Sequence, residues 1–383
     1  MRSRPALSVV IPTRNRRREL ARTLALLGAQ RLPSHEVLVA DNGSRDGTAS
    51  MLRRRFPRVR VLDLGRNRGA EARNVAAAEA RGRVLLMLDD DSAPEPGAAA
   101  RALRYLNRER KLAAVGFRVL LADGSHEPGG THNVFVGCAA AVRRDLFLAA
   151  GGYPADFGYY VEEYALSYRL FAMGYRVRVC GDLVARHRKA GFAGRRADVF
   201  GRLVANNLRL AARFLPKRLA AERSREIVRW YLALAAAQGV RGPVAAAARR
   251  ARTALRRRPV RREPLKGKAL EAATGRAALA RQLHELRASG VRELGLWRYT
   301  KDAVTFIRAC RRARLHVRAL ATDMLEEASR AGVRRVRPRE AGPHLLWLVP
   351  TFSPGLAENG LAGMQAHGLR GRAFFRYASR RKG

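Results

Sequence analysis

The chain has 383 residues, 47% of them hydrophobic and 28% charged, which is enough for two or three domains with full-sized cores and too apolar for a disordered chain. Its 76 lysines and arginines against 32 acidic residues leave a net charge of +44, which implies an anionic partner without choosing among nucleic acid, a membrane surface and a phosphate-bearing substrate. Three cysteines, Cys138, Cys180 and Cys310, stand far apart with no Cys-x-x-Cys pair, which argues against a disulfide framework or a cysteine zinc site and fits a reducing cytoplasm.

Residues 7–11, Leu-Ser-Val-Val-Ile, are a largely apolar run that predicts a buried strand, and residues 17–29, with Leu20, Leu24 and Leu27 at helical spacing, predict a helix. The pattern then repeats, with strands expected over 36–40, 59–62 and 84–88 and helices over 48–56 and 69–80. Such alternation predicts a mostly parallel sheet with helices on both faces, and ligands on such sheets bind beyond the carboxyl ends of the strands. The segments just beyond those ends are polar: Pro12-Thr13-Arg14-Asn15, Asp41-Asn42-Gly43-Ser44 and Asp89-Asp90-Asp91. After Pro94 the rhythm loosens into a helix over 97–107, apolar segments around 113–121 and 133–142, and a helix over 162–173. From 198 to about 286 alanine, leucine and arginine recur with helical periodicity, broken at Pro216, at residues 239–243 and at Pro259. From Arg292 the α/β rhythm returns, with strands at 293–297, 315–321 and 345–349 and helices at 302–313 and 324–331. Three parts are therefore expected: 1–197, a basic helical region over 198–288, and a small α/β domain over 289–383. The run at 7–11 is too short for a signal-peptide core, and the longest later apolar stretch, 230–237, is far below the ~20 residues that cross a bilayer, so membrane contact is expected to be peripheral.

Three consecutive carboxylates after an apolar strand repel one another unless something positive sits between them, and a divalent cation is the natural occupant of Asp89-Asp90-Asp91. Oxygen donors suit Mg2+ or Mn2+. An acidic turn capping the next helix would read the same way. Likewise, Asp41-Asn42-Gly43-Ser44 followed by Asp46-Gly47-Thr48 fits a turn and helix cap as well as a binding loop, and Glu162-Glu163 at a helix start are favoured by its dipole alone.

Together these segments form an ordered set. Val9-Val10-Ile11-Pro12-Thr13-Arg14-Asn15, Asp41-Asn42, Arg66-Asn67-Arg68-Gly69, Ala72-Arg73-Asn74 and the Asp triplet resemble, in order and spacing, the donor-binding half of the family-2 glycosyltransferases. Downstream, Val136-Gly137-Cys138-Ala139, Gly151-Gly152-Tyr153 and the stretch from Tyr160 to Leu170 resemble the segment before the family's catalytic helix and its Glu-Asp-x-Asp-Leu-x-x-Arg element. Glu163 stands where Asp is usual, and Ala165 replaces the later Asp. The resemblance covers roughly residues 6–215. It implies a GT-A (Rossmann-like, nucleotide-diphospho-sugar transferase) α/β fold, a nucleotide-diphosphate sugar donor, and Mn2+ or Mg2+ held by Asp89, Asp91 and His187. It further implies a nucleotide-sugar site shaped by Pro12, Thr13, Asn15, Asp41, Asn42, Arg73, Asp89 and Asp90. Glu163, with Glu162 beside it, would take the proton from an acceptor hydroxyl in one inverting displacement.

Residues 201–300 carry 24 basic and 6 acidic residues among apolar positions, a pattern that suits an anionic membrane surface and equally an ordinary helical subdomain. The C-terminal α/β part weakly resembles the Rossmann-like modules appended to some sugar-modifying enzymes. It reads Leu296-Trp297-Arg298-Tyr299-Thr300-Lys301 where a glycine turn would admit a dinucleotide, so a structural or docking role is expected. The leading expectation is an inverting, metal-dependent glycosyltransferase acting on a cell-envelope glycan or lipid-linked acceptor, cytoplasmic and peripheral at the inner face of the plasma membrane. A nucleic-acid-binding protein on an inactive transferase scaffold is the first alternative. With 7% aromatics and no clustered aromatic and basic stacking motif, no specific nucleic acid is expected. A sugar nucleotidyltransferase would show a glycine-rich loop where Pro12-Thr13-Arg14-Asn15 stands.

Overall fold

The computed structural model describes residues 4–189, 196–322 and 333–377. The chain divides into two compact units, Met1–Ala190 with Tyr377–Gly383 and Gly191–Arg376.

In the first unit the expected alternation is present. Strands β1 (Leu7–Thr13), β2 (His35–Asp41), β3 (Arg60–Asp63) and β4 (Val84–Leu88) pair in parallel, linked by helices α1 (Arg17–Gly28), α2 (Thr48–Arg55) and α3 (Ala72–Glu79). Every residue of β1 and β4 is buried, as a strand covered on both faces requires. Leu20, Leu24 and Leu27 of α1 are buried against this sheet, each stabilising by about 1.5–3 kcal/mol relative to exposure.

The rest of the unit mixes directions: β5 (Ser92–Pro94), α4 (Ala98–Arg108), β6 (Leu112–Leu121), β7 (Ala139–Arg143), α5 (Arg144–Ala149), α6 (Glu162–Ala172) and β8 (Arg176–His187). The eight strands run in the order β3-β2-β1-β4-β7-β6-β8-β5, with β7 antiparallel to both β4 and β6. His187 is the last residue of the long strand β8 rather than lying beyond a strand. Three-residue β5 gives no readable period. Between β1 and β4 the chain reverses its direction of travel across the sheet, and this switch point brings Thr13 and Asp89 to one rim.

The second unit opens with five helices, α7 (Arg196–Phe214), α8 (Lys217–Ala237), α9 (Arg241–Arg257), α10 (Gly267–Thr274) and α11 (Arg276–Ala288). Beyond them come β9 (Glu293–Trp297), α12 (Ala303–Arg312), β10 (His316–Ala321), β11 (Arg334–Val336), β12 (Leu346–Leu348), α13 (Pro354–Ala366) and β13 (Gly371–Arg372). The strands form a parallel sheet in the order β11-β10-β9-β12-β13. Leu279, Leu283 and Leu286 of α11 share a core with Leu294, Leu296, Phe306 and with Ala233 of α8, so helices and sheet are packed as one body. The helix expected at 324–331 lies outside the described residues. Helix α13 was not legible because Gly355, Gly360 and Gly363 depress its propensity; a Cβ at Gly360 would meet Val349 at 2.7 Å, so close approach to the sheet selects the glycine. Among the described residues no helix is long and apolar enough to cross a membrane.

Candidate active site

The Asp triplet at the end of β4 does not wait for a cation. Arg73, 2% exposed, pairs with Asp89; Arg16 spans the next two, with Nε 2.7 Å from Asp90 Oδ1 and Nη2 2.5 Å from Asp91 Oδ2. His187 Nε2 lies 3.1 Å from Asp91 Oδ1. The repulsion from which a metal was expected is thus met by side chains of the chain itself. The case for a metal moves to the donor set: one ligand atom each from Asp89, Cys138 and His187 lies within 4.8 Å of the others, with Asp91 against the same imidazole. Carboxylate oxygen, imidazole nitrogen and thiol sulfur fit a borderline divalent ion better than Mg2+, which prefers oxygen alone.

Burial sets the electrostatics here. It pushes the Asp90 carboxyl up to about 6, although Arg16 and the Thr13 hydroxyl, which donates to Asp90 Oδ2 at 2.8 Å, pull the other way. For Asp91 burial acts upward too, but His187 and Arg16 outweigh it and hold the carboxyl below its ordinary value. His187 Nδ1 lies 3.2 Å from Glu127 Oε2, whose other oxygen accepts from Lys189 Nζ at 2.9 Å.

The second half of the site is the turn into α6. Tyr160 and Val161 take left-handed backbone angles, φ 75° and 73°, a costly choice for a β-branched residue, and this pair aims the helix start at β4. Glu162 is buried beside Arg73 and Asp89; burial drives its carboxyl up to about 7 against the pull of Arg73. Its Oε2, the Tyr153 hydroxyl and Arg73 Nε have no hydrogen-bond partner among the described residues. Glu163 is half-buried, one residue nearer solvent. Ala165 is fully buried, so a carboxylate there would lie inside the helix packing.

Two clasps hold this turn to α3. Asn74 accepts from the Tyr153 amide and donates to its carbonyl, both at 2.8 Å. The Ala70 amide donates to Gly158 O at 2.7 Å, an approach so close that a Cβ on Gly69 (φ +60°) would stand 2.4 Å from that oxygen.

The strand-end loops meet on one rim. Asp41 Oδ1 accepts from the Ser44 amide at 2.8 Å; Asn15, at φ 53°, accepts from the Arg45 amide at 2.7 Å while its own amide donates to Ser44 Oγ at 2.9 Å. Asn42 Oδ1 accepts from the Arg68 amide at 3.0 Å and its Nδ2 donates to Gly69 O at 3.3 Å, tying the second loop to the turn before Arg73. Pro12 is buried at the end of β1. Asp46 fulfils the plain turn reading, capping Thr48 and accepting from the Arg17 amide.

Residues 8–155 match the profile of Glycosyl transferase family 2. This stretch is a family-2 glycosyltransferase domain, and the unit that holds it is a mixed α/β fold built on one large sheet. It is 37% identical over 114 residues to the uncharacterized glycosyltransferase YfnE of Bacillus subtilis, covering 28% of this chain and 29% of that protein. It is 33% identical over 126 residues to the chondroitin synthase of Escherichia coli, covering 31% and 18%. The chain therefore spans less than a third of either relative. A mannosyltransferase from Pyrobaculum calidifontis, solved with GDP-mannose and Mn2+, aligns with a TM-score of 0.48 at 23% identity over 73% of this chain and 81% of that one.

Within the glycosyltransferase domain the structure adds four residues to those read from sequence: Arg16, Glu127, Cys138 and Asn74. Cys138 and Asn74 stood inside quoted motifs without a role. Arg16 is one of a run of arginines, and only the helix start distinguishes it from its neighbours. Glu127 lies in a loop with no periodicity, and no sequence signal singles it out.

Proposed function

We propose that the chain is an inverting glycosyltransferase that moves a sugar from a nucleoside diphosphate donor to a hydroxyl acceptor. The observation that carries this reading is the convergence of Arg73, Asp89 and Glu162 at the β4 rim of a family-2 domain. Glu162, almost wholly buried with an unpartnered oxygen beside Arg73 and Asp89, would accept from a hydroxyl of the donor sugar. Glu163, one residue on and half-exposed, is open to an incoming acceptor and serves as the base. The acceptor oxygen bonds to the anomeric carbon as the bond from that carbon to the β-phosphate oxygen breaks, and the hydroxyl proton passes to Glu163. Pro12, Thr13, Asn15, Asp41 and Asn42 shape the nucleotide side, with Asp41 toward the base or ribose. A divalent ion, when bound, supplies charge neutralisation for the leaving diphosphate; Asp89, Asp91 and His187 would hold it. The exposed arginines of α9, Arg249, Arg250, Arg256 and Arg257, away from buried Val244, Ala248 and Ala251, support an acceptor at an anionic membrane surface, a cell-envelope or lipid-linked glycan.

The test is a screen of UDP-, GDP- and dTDP-sugars with Mn2+ for thermal stabilisation and hydrolysis, with Glu163→Gln and Asp91→Ala beside wild type. Glu163→Gln is expected to retain donor binding and lose transfer; Asp91→Ala is expected to lose metal-dependent donor binding. Equal turnover in all three proteins refutes the roles.

A further inference from the structure

The sulfur of Cys138 has no part in sugar transfer as proposed, yet it lies among the groups that would hold the ion. Its place is set by the sheet. β7 runs antiparallel to β4 with Ala139 opposite Leu88, which sets Cys138 beside Asp89. β5 pairs with β8 through Ser92 and His187, which brings the imidazole to the same point from the other side. The Ser92 hydroxyl donates to the Cys138 carbonyl at 2.6 Å and accepts from the Asp89 amide at 2.9 Å, locking the two backbones together. The result is a cluster of one oxygen, one sulfur and one nitrogen donor within 4.8 Å, with Cys138 3% and His187 8% exposed and Asp89 open enough to admit an ion.

We propose that Cys138 is a sulfur ligand of this centre, so that Asp89, Cys138 and His187 form a site for a thiophilic divalent ion such as Zn2+ or Cd2+. The inference rests on the reading of this rim as the metal-bearing edge of a transferase, and it changes the ion that edge selects. A carboxylate-only edge holds hard ions weakly and exchanges them freely; a thiolate raises affinity for zinc-group ions by ligand softness. The thiol loses its proton to solvent as the metal–sulfur bond forms, and no electron changes hands. Zinc-group ions thereby compete with Mg2+ and Mn2+ at the centre.

The test uses the full chain, reduced and metal-free, titrated with CdCl2 while the ultraviolet thiolate-to-cadmium charge-transfer absorption is followed. Wild type and Cys310→Ser, altered in the other unit, are expected to develop one band per chain at one equivalent. Cys138→Ser and Cys138→Ala are expected to lack it, and Zn2+ affinity in both is expected to fall by more than the about 10–100-fold that loss of an outer-shell partner costs. No band in wild type, or an undiminished band in both Cys138 variants, overturns the inference. The two readings fail separately. Mn2+-dependent nucleotide binding without a cadmium band overturns this proposal and leaves the transferase standing. A Cys138-dependent band in a protein that turns over no nucleotide sugar supports the sulfur site and removes the transferase reading.

Discussion

Arg73→Met tests how much the buried guanidinium holds together. Arg73 is 2% exposed; burial opposes its charge, and Asp89 more than offsets that cost, while Nη2 also donates to the Leu88 carbonyl at 3.3 Å. Methionine keeps most of the side-chain volume and removes the charge. Breaking a buried pair by deleting one partner costs about 3–5 kcal/mol, because the other charge is left uncompensated. The Asp89 side chain is 24% exposed, so water replaces part of the lost attraction and the lower end, about 3 kcal/mol, applies. At about 2–4 °C per kcal/mol for a unit of this size, the melting temperature of the first unit should fall by about 6–12 °C. Without Arg73 the Glu162 carboxyl also loses the charge that opposes its upward displacement, so it holds its proton to higher pH. The assay is calorimetric or circular-dichroism melting of wild type, Arg73→Met, Asp89→Asn and the double variant. The double variant should be more stable than Arg73→Met alone. A loss below about 1 kcal/mol in Arg73→Met, or a double variant less stable than it, would refute the assignment of this pair.

Arg16 occupies Asp91, one of the groups that would hold a divalent ion. Arg16→Ala should tighten Mn2+ binding by about fivefold, the equivalent of the roughly 1 kcal/mol that a one-third-exposed pair contributes, and weaker binding in a calorimetric titration contradicts it. Burial opposes the charge on His187, but Cys138, Asp91 and Glu127 raise it above the ordinary value, so the imidazole is cationic at neutral pH. Such a raised group stabilises the fold fully below its unfolded value of about 6.5 and loses that contribution as pH climbs through the folded value. An ion binding at His187 must displace the proton, so metal affinity should rise with pH across the neutral range; titration in buffers of different ionisation enthalpy reads the proton, and a flat profile counts against His187 as ligand. Gly69→Ala should open the contact with Gly158 and cost activity more than stability, checked by kcat beside the melting temperature; unchanged turnover would free the turn of any positioning role. Co-sedimentation with anionic vesicles should fall when Arg249, Arg250, Arg256 and Arg257 are changed to Gln, and no binding by wild type at physiological salt ends the membrane proposal.

The four parallel strands and their helices were legible because each announces itself over a window of its own length: a largely apolar run in β1, a continuous one in β4, leucines at helical spacing in α1. The polar ends of those strands gave the rim, and Asp41, Asn42, Thr13 and the Asp triplet do meet there. What the sequence did not disclose depends on partners brought from afar. Arg16 reaches Asp90 across 74 residues and Glu127 reaches His187 across 60. Reading the Asp triplet by itself called for an external cation, since no local pattern tells which of many arginines is near. In the second unit α13 and the short strands β11 and β13 were lost for a different reason: three glycines and segments of two or three residues carry no period, and packing against the sheet decides them.

The double clasp between α3 and the turn before α6 has a consequence for anyone rebuilding this domain. The Asn74 side chain grips the Tyr153 main chain, and Gly69 makes room for Gly158, so α3 with the turn before it and the loop before α6 are fastened to each other. Grafting a new acceptor half onto residues beyond the Asp triplet would leave those fasteners without their counterparts. A workable chimera must carry residues 69–74 together with 152–163, as a single cassette.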